Sequence, residues 1–248
     1  MATVQGECGK IELFYDFFGE DEVASTDPSR PLGPFLVAGQ GSEGTDAGVP
    51  TLDSGLSGVG VITTTDEADH TTLVGTPCAF DVALMGPIML EARVRFGTDL
   101  LTKETFFGLT DVDPVTLSLQ TDIITGASSA LTNTGTAFVG FYQSAELTDT
   151  NDWHAVYKGG TATAVTVSTS LDLDCDAVIG DYQILKLEID PNGTTRWYVD
   201  GVLKKTLAGA TSTTADFGVV LGVEAKGSAC ETLDVDYLLV RANRDWTV

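Results

Sequence analysis

Residues 182–207 read YQILKLEIDPNGTTRWYVDGVLKKTL. In the first part, Leu185, Leu187 and Ile189 alternate with Lys186, Glu188 and Asp190. A period of two is that of a β-strand with one buried face. Pro191-Asn192-Gly193 then breaks the alternation with residues that favour tight turns. A second strand is expected over residues 194–199, a two-residue hairpin turn at Asp200-Gly201, and a third strand over 202–207. Three strands joined by two tight turns make an antiparallel meander.

The same alternation recurs on both sides. In residues 231–241, Leu233, Val235, Tyr237 and Leu239 fall on one face. Asp234 and Asp236 begin the other, which turns apolar at Leu238 and Val240. Residues 89–96 set Ala92, Val94 and Phe96 against Glu91, Arg93 and Arg95, charges suited to pairing across neighbouring strands. Further strands are expected at 105–110, 137–142, 153–157, 162–168 and 217–224. Residues 21–34, acidic with three prolines, and 39–58, rich in Gly, Asp and Ser, read as irregular. Sustained helical spacing is hard to find. The expected fold class is therefore all-β, an antiparallel β-sandwich. No internal repeat or linker separates two cores. Residues 1–34 read as an N-terminal extension. It is either a first strand carrying Leu13, Tyr15 and Phe17, with Phe14 at the core edge, or an arm that contacts a partner through Phe14, Phe17 and Phe18. Residues 35–248 read as a single β-sandwich domain.

The chain has 248 residues, 36 acidic and 13 basic, and a formal net charge of −23. A hydrophobic fraction of 43% is enough to fill a core, so composition does not indicate disorder. The charge argues against nucleic acid as a partner, which needs clustered Lys and Arg, and against an anionic membrane surface. No segment approaches the roughly 18–20 apolar residues of a membrane-spanning helix. The first ten residues lack the basic and apolar regions of a secretory signal, so folding in a cytosol is expected. Cys8, Cys78, Cys175 and Cys230 have no paired spacing and read as free, buried small hydrophobes rather than zinc ligands.

Several patterns were weighed for chemistry. Gly39-Gln40-Gly41-Ser42-Glu43-Gly44 matches GxGxxG, but Glu43 and Asp46 would repel phosphate and Ala47-Gly48-Val49-Pro50 starts no helix, so a loop is expected. Glu188 and Asp190 place two carboxylates on one strand face, as a glycosidase would. Strand geometry spaces them by roughly 6.6 Å, and nothing nearby separates an acid role from a nucleophile role. A solvated face is the plainer reading. Asp172, Asp174 and Asp176 are spaced like the first ligands of a calcium loop, with Asp149 and Asp152 as further candidates. Ala177 and Gln183 stand where such a loop needs Gly and Glu, so an acidic loop is expected. Only His70 and His154 could serve a hydrolytic triad, and neither has a recognisable neighbourhood. Trp153 and Trp197 could stack on a sugar but fit a sandwich core better. Asn192-Gly193-Thr194 is a glycosylation sequon that matters only in a secreted chain. No catalytic, cofactor or metal residue is assigned, and no enzyme activity or cofactor is expected.

Three stretches together resemble the concanavalin A-like (laminin G-like) jelly roll: LKLEID at 185–190, RWYVDGVL at 196–203 and LDVDYLLV at 233–240. The resemblance implies a jelly-roll sandwich and leaves function open among lectins, glucanases and structural modules. The glucanase branch carries a third acid after its ExD strand, and this chain does not. A narrower resemblance rests on FYDFFG at 14–19, LEARVRF at 90–96, FGLTD at 107–111 and the final VDY strand. It is to tailed-bacteriophage virion structural proteins, and spans roughly residues 11–244. It implies a non-enzymatic protein decorating the capsid exterior. The partners would be the major capsid protein or other virion proteins, with homo-oligomers, and assembly would take place in the host cytoplasm. The alternative is a carbohydrate-binding module or adhesin on a phage fibre or spike. A glycoside hydrolase ranks third.

Overall fold

The computed structural model describes residues 3–5, 9–18, 30–39, 51–53, 58–97 and 99–245. Among them, strands form two large antiparallel sheets, numbered here along the chain. Sheet A runs in space as β1 (Thr3–Gln5), β2 (Lys10–Tyr15), β20 (Thr232–Asn243), β9 (Ile88–Arg95), β16 (Gln183–Ile189), β17 (Thr195–Val199) and β18 (Val202–Leu207). To its side, β5 (Thr51–Asp53) pairs with β6 (Val59–Thr63), which pairs with the start of β20. Sheet B runs as β15 (Asp172–Asp176), β14 (Asp152–Lys158), β13 (Phe138–Ser144), β10 (Lys103–Thr110), β19 (Asp216–Ala225), β7 (Thr71–Gly75), β4 (Phe35–Ala38) and β3 (Arg30–Leu32). β8 (Phe80–Asp81) pairs with the start of β19. A separate hairpin joins β11 (Ile124–Ala127) to β12 (Ala130–Asn133).

The meander forms as its spacing predicts. Leu185, Leu187 and Ile189 are fully buried, while Lys186 and Glu188 are half-buried on the other face. At the second turn Asp200 (φ 50°) and Gly201 (φ 77°) both take left-handed backbone, the pattern of the hairpin turn that matches strand twist. Asp200 locks it, its Oδ1 accepting the Ile184 amide at 2.8 Å.

Between the sheets lies an aromatic core. Trp153 packs against Phe96 (centroids 5.7 Å apart) and edge-on to Phe141 (6.2 Å), which stacks on Phe107. Trp197 is fully buried and donates its indole N–H to the Gly140 carbonyl at 2.9 Å, tying sheet A to sheet B. Lys103 is buried with no exposure. Its Nζ lies 2.9 Å from Glu231 Oε2 and donates to the Thr232 carbonyl at 3.1 Å, where the chain enters β20. The N-terminal β2 pairs with β20 along its length, from Lys10↔Asn243 to Tyr15↔Leu238. Leu13 and Phe17 enter the core, whereas Phe14 is 47% exposed on the outer face.

The sheets differ on their outer faces. Strand β16 alternates buried and half-buried, so sheet A is open to solvent. Every residue of β10 and β13 is buried, so sheet B is covered. The cover is the segment over residues 117–133. Leu117, Leu119, Ile123, Ile124 and Leu131 join the core, and a π-helical turn, Leu119–Ile123, crosses β10 and β19.

Three expectations are corrected. Residues 162–168 form no strand: the Ala162 amide is spent on the Gly209 carbonyl, and the far end meets β12 through an isolated antiparallel bridge, Val167↔Ala130, that is not continued. Within the two stretches expected to be irregular, Arg30–Leu32 pairs with β4 and Thr51–Asp53 pairs with β6. In β20 the facing of the second half reverses. Val235 pairs with Val94 but Tyr237 pairs with Arg93, leaving Asp236 as the extra residue of a β-bulge. Leu238 and Val240 therefore point inward, while Tyr237 and Leu239 are half-exposed or outward.

Candidate functional site

The open face of sheet A is a grid of charges. Across five strands one row reads Glu12, Arg241, Met89, Glu188, Arg196, each residue the register partner of the next. Strands lie about 4.8 Å apart, so the row spans about 19 Å. The row above it reads Phe14, Leu239, Glu91, Lys186, Tyr198. Six of the thirteen basic residues, Lys10, Arg93, Arg95, Lys186, Arg196 and Arg241, are gathered here on a strongly acidic chain.

A groove of about 480 Å³ follows the first row. Lys10, Glu12, Arg241 and Asn243 stand on one side and Glu188, Asp190 and Arg196 on the other, with Pro87 and Met89 between. Its two arginines are paired. Arg196 clamps Asp190 bidentately at 2.7 and 3.1 Å, and Arg241 Nε donates to Glu12 at 2.7 Å. Glu188 accepts from the Tyr198 hydroxyl at 2.9 Å and sits 2.7 Å from the Lys186 ammonium. Further along the face Arg93 pairs with Asp236 and Arg95 with Asp234. Both guanidiniums lie over the Tyr182 ring, at 4.2 and 4.7 Å.

These contacts decide what the carboxylates can do. Burial works to raise Glu188, but Lys186 and Tyr198 outweigh it and hold it below its usual range. The Arg196 fork holds Asp190 low as well. A hydrolytic pair needs one carboxyl raised so that it carries a proton at working pH. Both members here are held ionised, so this pair supplies acceptors and not a general acid.

The other candidate residues are dispersed. Trp153 and Trp197 belong to the core. His154 is buried, one ring nitrogen 3.1 Å from Asp149 and the other 3.3 Å from the Tyr142 carbonyl. Ser168 donates to Asp149 rather than to His154, so no nucleophile is activated. His70 sits beside β7 with a ring nitrogen 2.7 Å from Glu67. Of the aspartates, Asp152, Asp172 and Asp176 gather across β14 and β15. Asp149 turns to His154, and Asp174 is exposed with its amide on Asp172. Among the described residues no group of three acidic, His or Cys side chains is placed to hold a metal. The cysteines are not the buried hydrophobes expected: Cys78 and Cys175 are half-buried and Cys230 is exposed, each lying in a loop or edge strand. Cys8 and the glycine-rich motif beyond Gly39 lie outside the described residues. Sequence reasoning found Glu188 and Asp190 but missed Glu12, Arg241 and Asn243. They reach the groove only because the two ends of the chain pair, and no local signal reports that.

No family model matches the chain, and no curated protein matches it in sequence. Solved structures do. A protein of unknown function from Shewanella oneidensis MR-1 aligns with a TM-score of 0.57 at 12% identity, covering 96% of this chain and 89% of that one. The Emp47p carbohydrate recognition domain aligns at 0.56 and 10%, covering 90% and 100%. The Bacillus licheniformis β-glucanase aligns at 0.51 and 12%, covering 94% and 98%. At such identities the likeness shows the fold: an all-β, concanavalin A-like jelly-roll sandwich, an architecture that carries both recognition domains and hydrolases.

Proposed function

We propose that this chain is a non-catalytic carbohydrate-binding domain whose ligand lies in the groove of sheet A. The observation that carries the reading is the row Glu12–Arg241–Met89–Glu188–Arg196. It sets two arginine–carboxylate groups on either side of an apolar strip. Vicinal sugar hydroxyls donate to such carboxylates and accept from the guanidiniums, while the C–H face of the ring rests on Met89 and Pro87. Because each arginine is already neutralised, the groove favours a neutral glycan over a polyanion. Phe14, exposed with its ring 6.2 Å from Tyr237, extends the strip one row further.

A place on a bacteriophage virion, on the capsid exterior, is our proposed setting for the domain. Its support is the sequence resemblance and the net charge of −23, which discourages contact with a genome. Repeated copies on a particle would raise a weak affinity by avidity. Immunogold labelling of purified particles tests the setting, and bare particles would count against it. The binding function itself is tested on a glycan array with wild type, Arg241→Ala and Arg196→Ala. Capture of a neutral oligosaccharide, weakened at least tenfold by either change, is expected. No capture at millimolar concentration, or capture indifferent to both changes, overturns the reading. Trp153 is unsuited to this test, since its loss would damage the core.

A further inference from the structure

Beneath the cover of sheet B lies a polar centre that the groove does not use. Glu104 on β10 and Glu224 on β19 are direct register partners on one sheet face, and both are fully buried. Side chains so placed have Cβ atoms about 4.5–5.5 Å apart. Glu224 Oε2 accepts from the Thr71 hydroxyl at 2.5 Å, the Ser118 hydroxyl at 3.1 Å and the Gln120 amide at 3.3 Å. Thr71 in turn accepts the Leu119 amide at 2.9 Å, so this carboxylate anchors the start of the π-helical turn. Glu104 Oε1 accepts one donor, the Ser144 hydroxyl, at 2.6 Å. The remaining oxygens, Glu104 Oε2 and Glu224 Oε1, are buried with no hydrogen-bond partner.

Among the described residues one cation serves this centre. Lys226 lies 3.7 Å from Glu104, but also 3.3 Å from Glu146 and 3.2 Å from Asp69, so its charge is divided among three carboxylates. From β13 the buried Tyr142 phenol faces Glu104, and burial together with that carboxylate keeps it protonated. From the cover, Asp122 caps the Ser118 amide at 2.9 Å and adds no positive charge. His70, next to Thr71, pairs with Glu67. Two adjacent buried carboxylates with a fraction of one counter-charge cannot both ionise cheaply.

We infer that Glu104 and Glu224 share one proton, held between Glu104 Oε2 and Glu224 Oε1, and that this proton keeps the cover over residues 117–133 seated on sheet B. A single hydrogen bond there satisfies both orphaned oxygens. Burial raises Glu224 too, but its three donors favour its charged form more than the Ser144 hydroxyl favours that of Glu104, so the proton resides on Glu104. In agreement, burial pushes Glu104 up to about 7 against relief from Lys226 and the Ser144 hydroxyl, with the Glu224 charge a smaller push upward and the Tyr142 phenol a smaller pull down. Lifting the cover hydrates the pair, returns Glu104 towards its ordinary 4.5, and releases the proton. The open state binds fewer protons, so opening grows as pH rises from about 4.5 to about 7 and levels off above it.

Hydrogen exchange of the amides of residues 118–124, corrected for intrinsic rates, tests this between pH 5 and 8. Protection should fall by up to about tenfold per pH unit below 7 and flatten above it. Glu104→Gln, which supplies a permanent donor to Glu224, should give a flat profile. Infrared difference spectra, taken on Asp152→Asn because burial pushes the Asp152 carboxyl up to about 6 as well, should show a protonated carboxyl band at pH 5.5 that is lost by pH 8.5 and absent once Glu104→Gln is added. A pH-independent protection profile in the wild type, or a carboxyl band on the Asp152→Asn background that survives Glu104→Gln, overturns the inference. The infrared measurement on Asp152→Asn alone decides it even where the Glu104 variant misfolds.

Discussion

Lys103 offers a sharp stability test because its charge has no solvent to fall back on. Its side chain is fully buried, its ammonium is 2.9 Å from Glu231 and it also holds the Thr232 carbonyl. Glu231 is only 10% exposed at its side chain, and its backbone is pinned by Thr64, whose amide and hydroxyl bond its carbonyl and amide at 2.9 Å each. It therefore cannot swing into water when its partner goes. Lys103→Met keeps most of the stem volume and removes the charge. Breaking a buried pair from one side costs about 3–5 kcal/mol. The slight exposure of Glu231 places this case at the lower end, about 3 kcal/mol, or roughly 6–12 °C in Tm for a chain of this size. Urea denaturation of Lys103→Met, Glu231→Gln and the double variant closes the cycle. The double should recover at least about half of the single loss, because neither charge is then left alone. A Lys103→Met cost below about 1 kcal/mol, or a double variant as unstable as the sum of the singles, would refute the reasoning.

Two further outcomes are expected. Gly201→Val should cost about 1–3 kcal/mol. A Cβ there meets nothing within 4 Å, so the whole penalty is the positive φ of 77°, and Gly201→Asn should be nearly neutral; equal melting of the two variants would remove backbone strain as the cause. Asp152→Asn should raise Tm at pH 7.5 and leave it nearly unchanged at pH 4. Burial, then the charges of Asp172 and Asp176, push Asp152 up to about 6, so its ionisation disfavours the fold as pH climbs from 3.8 towards 6; an equal shift at both pH values would contradict this.

Much of the sandwich was legible because its information is local. The alternation Leu185-Lys186-Leu187-Glu188-Ile189 and the Asp200-Gly201 turn each specify their own geometry, and the meander formed accordingly. Residues 162–168 show the limit: Val165 and Val167 carry strand-like spacing, but the pairing stops at one isolated bridge, Val167↔Ala130, and no ladder grows from it. The bulge at Asp236 was half visible. The sequence turns apolar on the opposite face at Leu238, and a one-residue insertion is what reconciles the two halves. The groove was legible only on the β16–β17 side. Arg241 and Glu12 are 229 residues apart and meet through pairing that no local pattern encodes. The Glu104–Glu224 pair was invisible for the same reason, each lying in an apolar strand that gives no hint of the other.

The pairing of β2 with β20 has a consequence for how the chain is made. Synthesis runs from the N-terminal end, so β2 emerges long before its ladder partner β20. The inner strand β9 likewise waits, for β16 on one side and β20 on the other. Sheet A therefore cannot close until residue 243 is free, and its early strands wait with apolar faces and unpaired edges exposed. Such non-local pairing slows folding. While β2 waits, its next neighbours in a crowd of nascent chains are other copies of itself. Like charges on those copies are the chain's standing defence, and the −23 that keeps finished molecules apart also protects unfinished ones.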